Sequence, residues 1–98
     1  MDNKMNGKFI VELEDSKQGK LVSKNSFNIF EEAFDNASML ALQIGTNPFQ
    51  RYWYNSKENC IMVDYGSHTN FIKIKLQEND KVTNLEEELA NNLGRLKQ

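Results

Sequence analysis

The stretch that decides the fold is "FQRYWYNSKENCIMVDYGSHTNFIKIKLQ", residues 49–77. It holds three runs rich in aromatic and β-branched residues, 49–54, 60–65 and 71–77, separated by "NSKEN" and "GSHTN". Such runs read as strands, and the polar, Gly- and Asn-containing breaks read as turns. Connections this short join neighbouring antiparallel strands, so the stretch predicts a three-stranded meander. Alternation assigns the faces. Ile61, Val63 and Tyr65 oppose Cys60, Met62 and Asp64, and Ile72, Ile74 and Leu76 oppose Phe71, Lys73 and Lys75. Because Tyr52 and Trp53 are adjacent, one of them must face the core.

Working outward, "KFIVELE" (8–14) alternates Phe9, Val11 and Leu13 against Ile10, Glu12 and Glu14, which is a strand with one buried face. "DSKQGK" is a turn, and "LVS" (21–23) returns as a short second strand. In "SFNIFEEAFDNASMLALQIG" (26–45), Phe30, Ala33, Phe34, Ala37, Leu40, Ala41 and Ile44 recur every three or four residues. This predicts an amphipathic helix, with Ser26 or Asn28 as cap, Glu31 and Glu32 at the positive end of its dipole, and Gly45 and Pro48 at its stop. "TNLEEELANNLGRLKQ" (83–98) predicts a second helix with Thr83 and Glu86 in capping-box spacing and a stripe of Leu85, Leu89, Leu93 and Leu96. The whole is an α+β single domain over residues 7–98, in β(β)αβββα order, an antiparallel meander with two helices packed on one face. Residues 1–6 are expected to be frayed.

From residue 26 onward the order helix, three strands, helix resembles the double-stranded-RNA-binding domain. The resemblance implies architecture. That family opens its last helix with a lysine cluster, whereas "TNLEEELA" places Glu86, Glu87 and Glu88 there. Carboxylates repel phosphates, so the resemblance carries no nucleic-acid site with it.

Composition narrows the function classes. The chain has 98 residues, a net charge of −2 and a charged fraction of 27%, values of a globular domain with no bulk attraction for DNA or an anionic membrane. One cysteine, Cys60, excludes an internal disulfide. No apolar run approaches a membrane span, and "MDNKMNGK" lacks the apolar region of a signal peptide, so a cytoplasmic protein is expected. Thirteen asparagines and ten lysines imply AT-rich codons, which point to an AT-rich bacterium, a phage or a mobile element.

Catalytic and metal chemistry find no support. Cys60 and His68 lie near opposite ends of one strand, whose extended chain from Cys60 to Gly66 covers roughly 20 Å at strand rise, too far for a nucleophile and its base. One His and one Cys cannot close a tetrahedral metal site. The five glycines form neither a dinucleotide fingerprint nor a phosphate-binding loop, and no cofactor is expected.

Two surfaces remain. Residues 51–77 are mildly basic and aromatic, with Arg51, Tyr52, Trp53, Tyr54, Lys73 and Lys75, a mixture that fits stacked bases and phosphates or a protein hot spot. The helix starts are acidic, with Glu31, Glu32 and Asp35 in one and Glu86 and Glu87 in the other, and fit a basic groove on another protein. The ordinary reading of both is a β-prone strand and a solvated first turn. The expectation is a small non-enzymatic module that binds another protein, of the kind that regulates or inhibits in phages and mobile elements. The alternative is a single-stranded nucleic-acid binder using the sheet. The leucine stripe 85/89/93/96 is expected to dock on the sheet, and could also pair with its twin in a homodimer.

Overall fold

The structure, a computed structural model, describes residues 7–15, 20–44, 51–66 and 70–96, with no side-chain account for residues 15, 20–22, 95 and 96. Five strands and two helices follow in the order β1 (Phe9–Asp15), β2 (Lys20–Phe27), α1 (Phe30–Ile44), β3 (Arg51–Asn55), β4 (Cys60–Asp64), β5 (Ile72–Leu76) and α2 (Leu85–Leu96). The expected α+β class and element order are what is found. Residues 1–6, Gly45, Pro48 and His68 lie outside the described residues.

The strands form one antiparallel sheet in the order β2-β1-β5-β4-β3. The meander of residues 51–76 supplies three strands, and the first hairpin docks its β1 against β5, with Val11 opposite Ile74 and Leu13 opposite Ile72. Pairing continues as Ile74 to Ile61 to Tyr54 and Ile72 to Val63 to Tyr52. Because directly opposed residues share a face, these pairs line up one apolar layer across the sheet. Its centre, Val11, Ile61, Val63, Ile72 and Ile74, is fully buried.

Both helices lie on that layer. α1 lies against β1, β2, β4 and β5, and α2 against β3 and β4. Phe30, Ala33, Phe34, Ala37 and Ala41 of α1 are buried. Small alanines every fourth residue let the helix sit close, and Phe30 meets Phe9 edge-on at 5.5 Å. The buried stripe is narrower than its periodicity suggests: Leu40 packs at the margin, and Ile44, in the last turn, is 42% exposed.

Two local expectations are corrected. β2 runs eight residues, through Ser26 and Phe27, and takes both from the expected helix. Ser26 pairs with Ile10, its Oγ accepts the Gly7 amide at 3.3 Å, and Phe27 packs against the core; these contacts outweigh a cap. The Ile29 carbonyl then accepts the first helical amides, from Glu32 and Ala33, so neither Ser26 nor Asn28 is the first helical acceptor. At α2 the cap is Asn84, whose Oδ1 accepts the Glu87 amide at 3.0 Å. Thr83 is tied instead to Asp80, through its amide at 2.9 Å and its hydroxyl at 2.8 Å, and forms no capping box with Glu86. Finally, Leu85 and Leu89 are buried in the chain's own core and Leu93 packs against it. Those leucines pack within the chain, as the expected docking of the helix on the sheet requires; Leu96's side chain is outside the described residues.

Candidate functional site

With both helices on one side, the other side of the sheet carries no helix among the described residues. Its register sets two rows across five strands: Ser26, Ile10, Lys75, Cys60, Asn55, and Lys24, Glu12, Lys73, Met62, Trp53. Arg51 stands opposite Asp64 at the margin. Trp53 and Lys73 therefore share one uncovered face, each beside Met62.

The opening stretch divides between the two faces. Tyr52 and Tyr54 face the helices, half-buried: Tyr52 stacks on Phe34 at 4.8 Å and shares a 3.0 Å hydrogen bond with Ser38, and the Tyr54 hydroxyl donates to Asn59 Oδ1 at 2.7 Å. Trp53 and Arg51 face outward, Trp53 with 40% of its surface exposed and Phe71 edge-on to its ring at 5.8 Å. Local chemistry fixes this strand in place. Asn55 Oδ1 accepts the amides of Lys57 and Glu58, closing the turn to β4, and Asn59 takes a positive φ of 51°.

The lysines of the face are not free cations. Lys75 Nζ lies 2.9 Å from Glu12, which Lys24 also approaches at 3.8 Å, and Lys73 Nζ lies 3.0 Å from Glu58. The hydrogen bond from Lys73 to Glu58 holds the ammonium above its ordinary range, against the opposing effect of partial burial. The sheet brings acids from β1 and from the β3–β4 turn onto the basic strand β5. Glu12 and Glu58 are thus the members of this candidate face that sequence reasoning missed. Alternation places Glu12 outward, but only the β1–β5 pairing sets it beside Lys75.

Beneath these pairs the face is apolar. Cys60 is fully buried and Ile10 and Met62 are each 8% exposed, although no helix covers them. Each has Lys73 or Lys75 beside it in the register, and lysine stems cover apolar neighbours while keeping their heads in water. Burial first, then the nearby Glu58 carboxylate, pushes the Cys60 thiol up, the opposite of an activated nucleophile. Its sulfur lies 3.6 Å from that of Met62. Among the described residues no group of His, Cys, Asp and Glu is arranged to hold a metal ion, and no helix is long and apolar enough to cross a membrane.

The remaining candidates stand on the other layer. Glu31, Glu32 and Asp35 are exposed on α1, and Glu86 and Glu87 are exposed at the start of α2. α1's outer face passes from these acids to Met39 and Leu42, 53% and 65% exposed. The sheet separates the acidic helix starts from Trp53, Lys73 and Lys75, so the eleven candidates do not form one surface. Against known proteins, the chain matches no family model, no curated protein and no solved structure. The class that fold and site define is an α+β domain with a five-stranded antiparallel sheet, helices on one face and a charge-paired aromatic face on the other.

Proposed function

We propose that this chain is a non-enzymatic protein-binding module whose contact surface is the uncovered sheet face around Trp53, and that it acts as a small regulator or inhibitor of its partner. The observation that carries the reading is the internal pairing of Lys73 with Glu58 and of Lys75 with Glu12. A surface that tracks phosphates presents unpaired cations; here each lysine head would have to leave a carboxylate first. Trp53, Phe71 and Arg51 beside a nearly buried Met62, flanked by neutralised charge, match the aromatic centre and polar rim of protein interfaces.

The test is affinity capture from the source cells with the wild-type chain and with the Trp53→Ala, Phe71→Ala double variant, beside a Trp53 fluorescence titration with single-stranded oligonucleotides. A protein retained by the wild type and lost by the variant is the expected result, with fluorescence unmoved by oligonucleotide. Quenching that weakens steeply with salt would replace this reading with the nucleic-acid one. A partner that survives both substitutions would move the contact off this face.

A further inference from the structure

The two edges of the sheet are protected differently. Edge strands expose unpaired backbone groups, and proteins blunt them with lysines, prolines or bulges. β2 carries Lys20 and Lys24, and its pairing with β1 shifts register between Leu13 and Glu14. β3, the other edge, reads Arg51-Tyr-Trp-Tyr-Asn55, with no lysine, no proline and an unbroken register against β4. Its sequence has the composition that favours pairing.

The strand is also complementary to itself. An antiparallel pair of two copies centred on Trp53 sets Trp53 opposite the second copy's Trp53, Tyr52 opposite its Tyr54, and Arg51 opposite its Asn55. No like charges face one another. On the open face Arg51 stands diagonal to the second copy's Trp53, within reach of a long side chain, where a guanidinium meets an aromatic ring favourably. On the helix-covered face, the half-buried Tyr52 and Tyr54 give two more aromatic cross-strand pairs.

We infer that β3 is a self-association edge, on which a second copy of this chain adds its own β3 antiparallel in the register centred on Trp53. A five-residue strand buries less than the ~800 Å² per partner of a standard interface, so the dimer is weak. It joins two sheets into one and sets both Trp53 side chains side by side on the open face. The inference is independent of any foreign partner, because it concerns the chain alone.

Sedimentation equilibrium from roughly 10 μM to 1 mM, a range in which weak association of about 4–7 kcal/mol is read, is the first measurement. The apparent mass should rise from 11.4 kDa toward twice that value, and Trp53→Lys should weaken the association by roughly tenfold or more, with the fold checked by circular dichroism. Register is then tested in a Cys60→Ser background. Trp53→Cys should give a disulfide-linked dimer on mild oxidation, since opposed residues lie ~5 Å apart. Arg51→Cys should not, because the two copies of that position fall four residues out of register, ~13 Å along the strand. A mass fixed at 11.4 kDa across the range overturns the inference, as does undiminished association of Trp53→Lys or linking at position 51 rather than 53.

Discussion

Replacing Glu12 and Glu58 by glutamine should turn the open face into a surface that binds single-stranded nucleic acid. Glutamine keeps the size and hydrogen-bonding capacity of the carboxylate and removes only its charge. In the wild type, Lys75 and Lys24 are 2.9 and 3.8 Å from Glu12, and Lys73 is 3.0 Å from Glu58. A phosphate approaching any of the three must displace a carboxylate already in place, so few counterions are released and affinity should change little with salt. In the double variant three lysines on one face are unopposed by those acids. At ~0.7 of a counterion released per phosphate on a single strand, three contacts give a log–log slope near −2, and raising salt from about 50 to 200 mM should weaken binding by roughly 18-fold.

The assay is fluorescence anisotropy of a labelled single-stranded oligonucleotide at several salt concentrations, with Trp53 quenching as an internal reporter. The fold should survive, because these pairs are partly exposed, Glu58 by 50% and Lys24 by 41%, and together are worth about 1 kcal/mol. Bulk charge is controlled by Glu86→Gln, Glu87→Gln, which changes net charge by the same amount on the opposite layer and should gain nothing. The reasoning is refuted if the wild type already binds with a slope near −2, or if the double variant acquires no salt-dependent binding.

The remaining predictions concern stability and the buried thiol. Ile61→Ala, at a fully buried position between Ile74 and Tyr54, should cost about 2–5 kcal/mol in urea unfolding. Asn84→Ala should cost ~1 kcal/mol by removing the acceptor of the Glu87 amide, whereas Glu86→Ala, outside any capping box, should be near neutral by the same measurement. Gly7→Ala should lower the unfolding free energy by about 1–3 kcal/mol, because a Cβ there meets the backbone of Phe27 and cannot be accommodated by a side-chain shift. Cys60 should react with a thiol reagent only as fast as the chain unfolds. Its folded-state pKa is raised, so its contribution to stability is complete below the ordinary value of 9.0 and is lost as pH rises toward the folded value. Cys60→Ser should therefore flatten the fall of stability above pH 9.0 measured by chemical unfolding.

Period and turn chemistry made most of the fold legible. Alternation in 60–65 and 71–77 assigned each described side chain to its observed face, because a one-residue slip would have put Ile72 and Ile74 in water. The errors cluster at helix starts. Ser26 and Thr83 are both competent caps in isolation, and competing partners decided against them: across the sheet β1 offered Ser26 a strand partner, and within its own turn Asp80 engaged Thr83 first. Asp80 itself illustrates how local such capture is. Amide and hydroxyl bonds from Thr83, then the Val82 amide, hold its carboxyl below the ordinary range, and the turn that results delivers Asn84 to the helix start.

The candidate site was legible only in part, and the reason is the sheet's long-range pairing. Along the chain, residues 51–77 look basic because Lys73 and Lys75 stand among apolar residues. Across the sheet they do not, because Glu12 arrives from a strand more than sixty residues away in sequence and occupies the row between Lys24 and Lys73. Charge counted over a sequence window describes a surface only where the surface is local, as on a helix face. On a sheet it is set by whichever strand pairs next door. The aromatics behave in the opposite way. Trp53 could be assigned an outward face from its neighbour Tyr52 alone once Tyr52 was known to stack on Phe34, since alternation within a strand is fixed by the backbone. The face that results has an aromatic group set by local geometry and a charge balance set by distant pairing. Shape and charge there can therefore be varied independently, Trp53 and Phe71 for the first, Glu12 and Glu58 for the second. For that reason the glutamine pair, and not a further tryptophan substitution, separates a protein-binding surface from a nucleic-acid-binding one.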